Sequence, residues 1–331
     1  MVYDCFTFFN ELDLLEIRLN TLDAVVDKFV IAEATRTHTG KPKELLFQKN
    51  QERFKKFAEK IIYIVVDDLM PEEEVVKDSY NLPWVNENRQ RNALIKGLVN
   101  AEKDDIFIIS DLDEIPRPEK VLKAVELARR GEIVRFELEL YVYYLNFKDY
   151  RNPYWYLGSI ALSWRTFCET EKLNAVKCDR YTVESECQGR VINKVRFLKP
   201  TIILCQSGWH FTYIGGANKI KEKLLAFSHQ EALVAVDNIE NRFSMGVNVL
   251  NGRRDNFAVR LNEGDFPAYI INNQYRYVDL IFTVTDEYLT VTRFARVVAR
   301  IRGLVYRFVV GLIPKCLERP LVLIRQKLNF K

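Results

Sequence analysis

The stretch Ile106-Phe107-Ile108-Ile109-Ser110-Asp111-Leu112-Asp113-Glu114-Ile115-Pro116-Arg117-Pro118 decides how the rest of the chain is read. Ile106 to Ile109 are apolar without alternation, which suits a strand covered on both faces, as in a parallel sheet. Two aspartates spaced by one residue follow, then a glutamate. Pro116 and Pro118 end the strand, and Pro118 fits the first turn of a helix, where its missing N–H costs nothing. Carboxylates at the carboxyl end of a parallel strand lie where open α/β sheets bind ligands. Oxygen ligands so placed suit Mn²⁺ or Mg²⁺, ions that leave coordination sites for water and substrate phosphates. A nucleotide diphosphate meets that need, and a solvated acidic turn is the plainer alternative.

Working outward, the N-terminal side alternates strand and helix. Val2 to Phe9 reads as a strand and Glu11 to Leu22 as a helix. Leu12, Leu15, Leu19 and Leu22 share one face of it, with Glu11, Asp13, Glu16, Arg18 and Asn20 elsewhere. Phe29 to Ala32, ending at Glu33, and Lys60 to Val66 are further strands. Asn86 to Ala101 and Pro118 to Arg130 are helices. The alternation predicts βαβ units in a parallel sheet.

Beyond Gly131 the pattern changes. From Ile133 to Leu140, Val134, Phe136, Leu138 and Leu140 alternate with Arg135, Glu137 and Glu139, predicting a half-buried antiparallel strand. Tyr141, Tyr143, Tyr144, Phe147, Tyr150, Tyr154, Trp155 and Tyr156 then crowd one segment. They read either as ordinary core or as a wall for a sugar ring. Thr201 to Cys205 is an apolar strand leading to Gly208-Trp209-His210-Phe211. The pair Gly215-Gly216 opens a helix to about Phe227, where backbone N–H groups can approach an anion. Ser228-His229-Gln230-Glu231 closes it.

With 331 residues, 48% hydrophobic and 28% charged, the chain is globular and large enough for one big domain or two small ones. The six cysteines form no C-x-x-C pair and no usual zinc spacing, which favours free thiols in a reducing compartment. The start lacks the basic and apolar regions of a signal peptide, and no uncharged run is long enough for a membrane span. From Thr290 onward there are ten Lys or Arg and one acid, Glu318, so the rest of the chain carries about −5 within a total of +4. That acidic body excludes a nucleic-acid-binding core. In the tail, Phe294, Val297, Val298, Ile301, Leu304, Val305, Phe308, Val309 and Leu312 share a helical face, opposite Arg293, Arg296, Arg300 and Arg307. Such a helix suits an anionic membrane surface. Leu321 to Ile324 offers a second anchor, and docking of the apolar face on the body is the alternative.

Several of these segments together resemble glycosyltransferase family 17, the family of β-1,4-mannosyl-glycoprotein β-1,4-N-acetylglucosaminyltransferases. They are Asn10 to Arg18, Phe29 to Ala34 with Thr39-Gly40-Lys41-Pro42, Asp111 to Pro116, Gly208-Trp209-His210-Phe211 with Ile220 and Lys223, and Gly264-Asp265-Phe266-Pro267 with Leu280. The resemblance covers residues 2–282. It implies an α/β, GT-A-like mixed sheet flanked by helices, with a nucleotide-sugar half of about 1–130 and an acceptor half of about 131–288. A basic amphipathic helical tail, 289–331, follows.

It also implies a UDP-sugar donor, UDP-N-acetylglucosamine first, a divalent metal, and transfer with inversion to a glycan or lipid-linked glycan. Asp113, with Asp111 and His210, is the expected metal set. Glu33, Lys41, Arg91, Asp111 and Glu114 are the donor-binding candidates. Inversion needs a carboxylate base, for which Glu231 comes first and Asp265 second, with Glu137, Asp179 and Glu184 behind. Phe211 replaces the cysteine that follows Gly-Trp-His in the animal form, and no anchor precedes the domain. Both point to a lipid-linked or surface glycan, and to a cytoplasmic protein peripheral on the cytoplasmic membrane face. Competing readings are a metal-dependent nucleotidyltransferase and a non-catalytic, membrane-associated glycan-binding protein.

Overall fold

The computed structural model describes residues 1–79, 81–156, 158–174, 195–196, 198–230, 239–244, 247 and 253–311. Its first sheet contains β1 (Val2–Phe8), β2 (Lys28–Ala34), β3 (Ile61–Val66) and β4 (Ile106–Asp111). A three-residue strand, β5 (Glu114–Pro116), follows β4. Further along come β6 (Val134–Phe136), β7 (Leu138–Val142), β8 (Phe147–Asp149), β9 (Tyr154–Trp155) and β10 (Ile160–Ser163). The last are β11 (Ile202–Leu204), β12 (Gly208–Thr212) and β13 (Asn256–Ala258).

The α-helices are α1 (Leu12–Leu22), α2 (Leu46–Lys49), α3 (Glu72–Val75), α4 (Leu82–Asn92) and α5 (Pro118–Arg129). They continue with α6 (Trp164–Asn174), α7 (Gly216–Ala226), α8 (Ile239–Ser244), α9 (Ala268–Asn272) and α10 (Asp286–Gly311).

The first sheet runs β11-β6-β10-β4-β1-β2-β3. Its β3-β2-β1-β4 part is parallel, and β10 joins β4 antiparallel. Ile106 and Ile108 of β4 enter one buried cluster, with Phe6, Phe29 and Val121. Phe107 and Ile109 enter another, with Val30, Leu94 and Phe167. Both faces of the strand are therefore covered, as its unbroken apolar run predicts. Each such side chain contributes about 1.5–3 kcal/mol when buried. The fold is mixed α/β, with helices flanking mixed sheets.

The second sheet runs β13-β8-β7-β12-β5, with β9 also on β7. The chain crosses from the first sheet to the second three times, two of them over no more than two residues and the third between β11 and β12. The short ones are the Leu112-Asp113 step between β4 and β5 and Glu137 between β6 and β7. This corrects the reading of 133–140 as one half-exposed strand. Arg135 and Glu137 are 8% and 9% exposed. The Arg135 guanidinium donates to the carbonyls of Tyr156 (3.2 Å), Arg196 (2.8 Å) and Leu198 (2.9 Å). Alternation of charge failed as a sign of solvent because buried carbonyls satisfy the arginine.

The helix expected from Asn86 to Ala101 instead begins at Leu82, with Pro83 in its first turn, and tightens to 3₁₀ from Ala93 to Leu98. The tail helix α10 begins at Asp286.

Candidate active site at the junction of the two sheets

The acidic turn is shaped from beneath by a side chain that the periodicity of α1 places among the polar positions. Arg18 is fully buried. Its guanidinium forms a two-pronged ion pair with Asp4 at 2.7 and 2.6 Å. The same group donates to the carbonyls of Asp111 (2.9 Å), Leu112 (3.1 Å) and Glu114 (2.7 Å), and to Ser110 Oγ. The planar five-donor fork of arginine suits this clamp, and a lysine point charge would not. Arg18 thereby fixes the backbone on which three carboxylates are mounted.

Each carboxylate has its own cationic partner. Asp111 accepts from Arg91 of α4 at 2.7 Å, and from Arg196 at 3.0 and 2.9 Å. Burial pushes its pKa up, but Arg196 and Arg91 outweigh burial and hold the carboxyl well below the usual range. Its side chain is 36% exposed, so this is where the cluster opens to solvent. Asp113 lies inside, 3.0 Å from Lys223 Nζ of α7 and 3.5 Å from His210 Nε2. Against burial, Lys223 and then His210 keep its carboxyl low, and the ammonium of Lys223 is raised in return. Lys223 also reaches Glu11 at 3.1 Å.

Glu114 is fully buried and accepts from Trp155 Nε1 (2.7 Å), Arg196 (3.2 Å) and the Asp111 N–H (3.0 Å). Burial raises its pKa despite Arg196. Gly158 seals this corner, since a Cβ there would stand 2.1 Å from Glu114 Oε1.

The Gly-Trp-His segment divides its work by strand alternation. A Cβ on Gly208 would lie 2.3 Å from the Ile115 carbonyl, so glycine lets β12 close on β5. Trp209 turns to the core and donates from Nε1 to the Asp265 carbonyl at 2.7 Å. His210 turns to the opposite face, against the ring of Trp155 at 4.9 Å and beside Asp113. Its Nδ1 is buried without a hydrogen-bond partner. Burial opposes protonation of His210, but Asp113 outweighs it and the pKa is raised.

The structure thus brings Asp111, Asp113, Glu114, His210 and Arg91 together. It does not bring the other candidates to them. Glu33 is buried in a network of its own, accepting from Lys43, the Leu46 and Phe47 N–H groups and Tyr63. Lys41 is exposed, 3.6 Å from Glu72. Asp265 lies on the Trp209 side of β12, away from His210, and its carboxylate accepts from Asn262. Glu137 accepts from the Gln206 N–H at the sheet crossing. Glu231, Asp179 and Glu184 lie outside the described residues.

Arg196, Glu87 and the part played by Arg18 were missed by the sequence reading. Arg196 stands in no periodic segment. Glu87, which accepts from Arg91 at 2.8 Å and from Ser228, had a signal in its i,i+4 spacing to that arginine. The aromatic segment divides. Tyr141 and Tyr143 are core, Tyr150 packs beside α10, and Trp155 alone touches the acidic cluster.

Residues 1–170, just over half of the chain, match the model of glycosyltransferase family 17. The chain belongs to that family. The human β-1,4-mannosyl-glycoprotein 4-β-N-acetylglucosaminyltransferase is 32% identical over 118 residues, which make up 34% of this chain and 21% of that one. The rat and mouse enzymes of the same name are 32% and 31% identical over the same length. The match spans about a fifth of these curated relatives. S. aureus TarS 1–349 aligns over 95% of this chain and 93% of its own, at TM-score 0.34 and 11% identity. M. tuberculosis glucosyl-3-phosphoglycerate synthase aligns over 82% and 92%, at TM-score 0.32 and 15% identity. At such scores neither adds to the fold described above. The family match covers the acidic turn with Arg18, Arg91 and Trp155, while His210, Lys223 and Arg196 lie beyond it.

Proposed function

We propose that this family 17 member is an inverting, metal-dependent glycosyltransferase. It moves N-acetylglucosamine from UDP-N-acetylglucosamine to a glycan or lipid-linked glycan. The observation that carries the reading is Asp113. It is a buried carboxylate kept charged by Lys223 and His210, at the carboxyl end of the parallel strands.

The donor set fits a divalent cation. Asp113 offers oxygen and His210 a nitrogen, in a family built on sugar transfer. Asp111 is the further oxygen, once Arg196 or Arg91 yields it. Among the described residues no three His, Cys, Asp or Glu side chains converge on one point. Asp113 and His210 would hold the ion from this chain, and Mg²⁺ and Mn²⁺ commonly take one or two carboxylates with substrate phosphates and water. When bound, the ion supplies Lewis-acid stabilisation of the departing diphosphate.

The chain's own cations share that task. Arg91, Arg196 and Lys223 are held in place by the carboxylates, so little reorganisation is needed as charge grows on the leaving group. Trp155, fixed by Glu114, offers a ring beside His210 for the C–H face of a sugar. The acceptor base is assigned to Glu231.

The test is the melting temperature of the purified chain with a panel of nucleotide sugars, with and without Mn²⁺. Ligand that binds only the native state raises it by mass action. A rise with UDP-N-acetylglucosamine that needs metal is expected. Asp113→Asn should lose it and lower turnover by about 10²–10³-fold, the scale for removing a preorganised electrostatic group, with the far-UV spectrum kept. No rise with any nucleotide sugar would favour a glycan-binding protein. Release of pyrophosphate in place of UDP would favour a nucleotidyltransferase.

A further inference from the structure

Helix α10 docks by its less apolar face. Thr292, Ala299 and Gly303 are its buried positions, and Ala299 packs with Tyr150 and Phe257 of the second sheet. A Cβ on Gly303 would stand 2.1 Å from the Arg151 carbonyl. Arg307 donates to that same carbonyl at 3.2 Å, and Tyr306 takes the Arg151 guanidinium over its ring at 5.3 Å. Amphipathic helices ordinarily turn their apolar stripe to the core. This one turns it outward.

At about 100° per residue, Val291, Phe294, Val297, Val298, Ile301, Leu304, Val305 and Phe308 fill an arc of about 140° opposite the docked face. No charged residue interrupts it. Phe294 is 79% exposed and Phe308 69%. Arg293, Arg296, Arg300 and Arg307 form a column along one edge of the arc, and Arg302 lies on the other. From Leu289 to Gly311 there are five arginines and no acid. Arg300, Arg307 and Lys148, with one carboxylate, Asp149, line a recess of about 250 Å³ beside the column.

We infer that α10 docks the protein on an anionic lipid surface. The helix lies in the headgroup plane with its apolar arc against the acyl boundary and its arginines on lipid phosphates. It lies rather than spans, since no helix among the described residues is long and apolar enough to cross a membrane. Charge selects lipid over the other occupants of such a face. A second copy of α10 would add positive charge to positive charge, bringing five more arginines with no acid from Leu289 to Gly311 to offset either set. The chain's own residues 312–331 carry five Lys or Arg against one acid and would do the same. An anionic surface complements both arc and column. This inference stands apart from the transfer reaction and holds whichever sugar is moved.

The test is co-sedimentation of the full-length chain with vesicles of phosphatidylcholine alone, or with about one-third phosphatidylserine. Binding to the anionic vesicles, reversed by salt, is expected. Arg293→Gln should weaken it about fivefold on anionic vesicles only, the scale for one surface arginine. Phe294→Ser, Ile301→Ser and Phe308→Ser change exposed positions and should keep the melting temperature. Each should weaken binding about tenfold or more as apolar burial is lost. Equal binding to both vesicle types, or wild-type binding by the serine variants, would overturn the inference. So would a dimer in sedimentation equilibrium that the serine variants dissolve while vesicles go unbound, which would assign the face to a second copy.

Discussion

The acidic turn and helix α10 treat charge in opposite ways. At the turn every carboxylate has a cation within the fold: Asp111 has Arg91 and Arg196, Asp113 has Lys223, and Glu114 has Arg196. The partners come from three distant parts of the chain, so the pairs exist only once the sheets have joined. On α10 five arginines stand with no acid from Leu289 to Gly311. Among the described residues only Arg302 of these reaches a carboxylate, that of buried Asp255, at 3.6 Å. Buried charge must be matched inside, because desolvation of an unpaired ion costs several kcal/mol. Exposed charge bears no such constraint and is free for a partner outside the chain.

The sharpest way to break this contrast is Arg18→Met. It removes the cation that matches Asp4 in a fully buried pair and leaves the carboxylate stranded. The expected loss is about 3–5 kcal/mol, read as a fall in the denaturation midpoint. Arg18→Met with Asp4→Leu should recover much of it, because replacing both partners removes the unmatched charge. Turnover should stay low in the double variant, since the carbonyls of Asp111, Leu112 and Glu114 have lost their clamp. A stable and fully active double variant would show that Arg18 serves stability alone.

The fate of Arg18 also shows how far sequence reading reaches. The strand into Asp111, the flanking helices and the joining of Asp113 to His210 were legible. An unbroken apolar run reports burial on both faces directly, and acids at its end report where charge gathers. The short sheet crossings were not legible. Glu137 looks like one more polar position in an alternating strand, and only the pairing of β6 with β10 and of β7 with β12 shows that the chain changes sheets there. Arg18 and Arg135 were read as solvent-facing by the same logic. Each is buried because carbonyls from distant segments satisfy its donors, which no local period encodes. In α10 the apolar positions from Phe294 to Phe308 share one face as read, while Leu312 and Leu321 to Ile324 lie outside the described residues; which side docks depended on Gly303 fitting over Arg151.

That fit gives the second prediction. Gly303→Ala should favour the helix by itself, by up to about 1 kcal/mol. Its Cβ would nevertheless meet the Arg151 carbonyl oxygen, a backbone atom with little room to move. Overpacking of this kind costs about 1–3 kcal/mol, so a net loss in melting temperature is expected. Vesicle binding should persist, because the opposite arc is untouched. A rise in melting temperature would mean that α10 does not seat on Arg151, and the outward turn of its apolar arc would lose its support.

The smallest effect sits at the outer link of the site network. His38 bonds to Gln90 Oε1 at 2.9 Å and lies 4.0 Å from Glu87, whose other contacts are Arg91 and Ser228. Burial lowers the His38 pKa, and the nearby Glu87 carboxylate does not overcome it. His38 is therefore kept neutral in a cluster of matched charges. The sign of its pH effect follows. Below about pH 6.5 the unfolded imidazole takes a proton that the folded one resists. His38 then contributes a loss of stability that grows as pH falls towards the folded pKa and is absent above neutrality. His38→Asn removes that titration. The gap between wild type and variant in urea unfolding should shift by on the order of 1 kcal/mol between pH 7.5 and 5, with wild type losing ground in acid. A gap that moves the other way would mean that Glu87 governs His38, making the imidazole one more paired cation of the acidic turn.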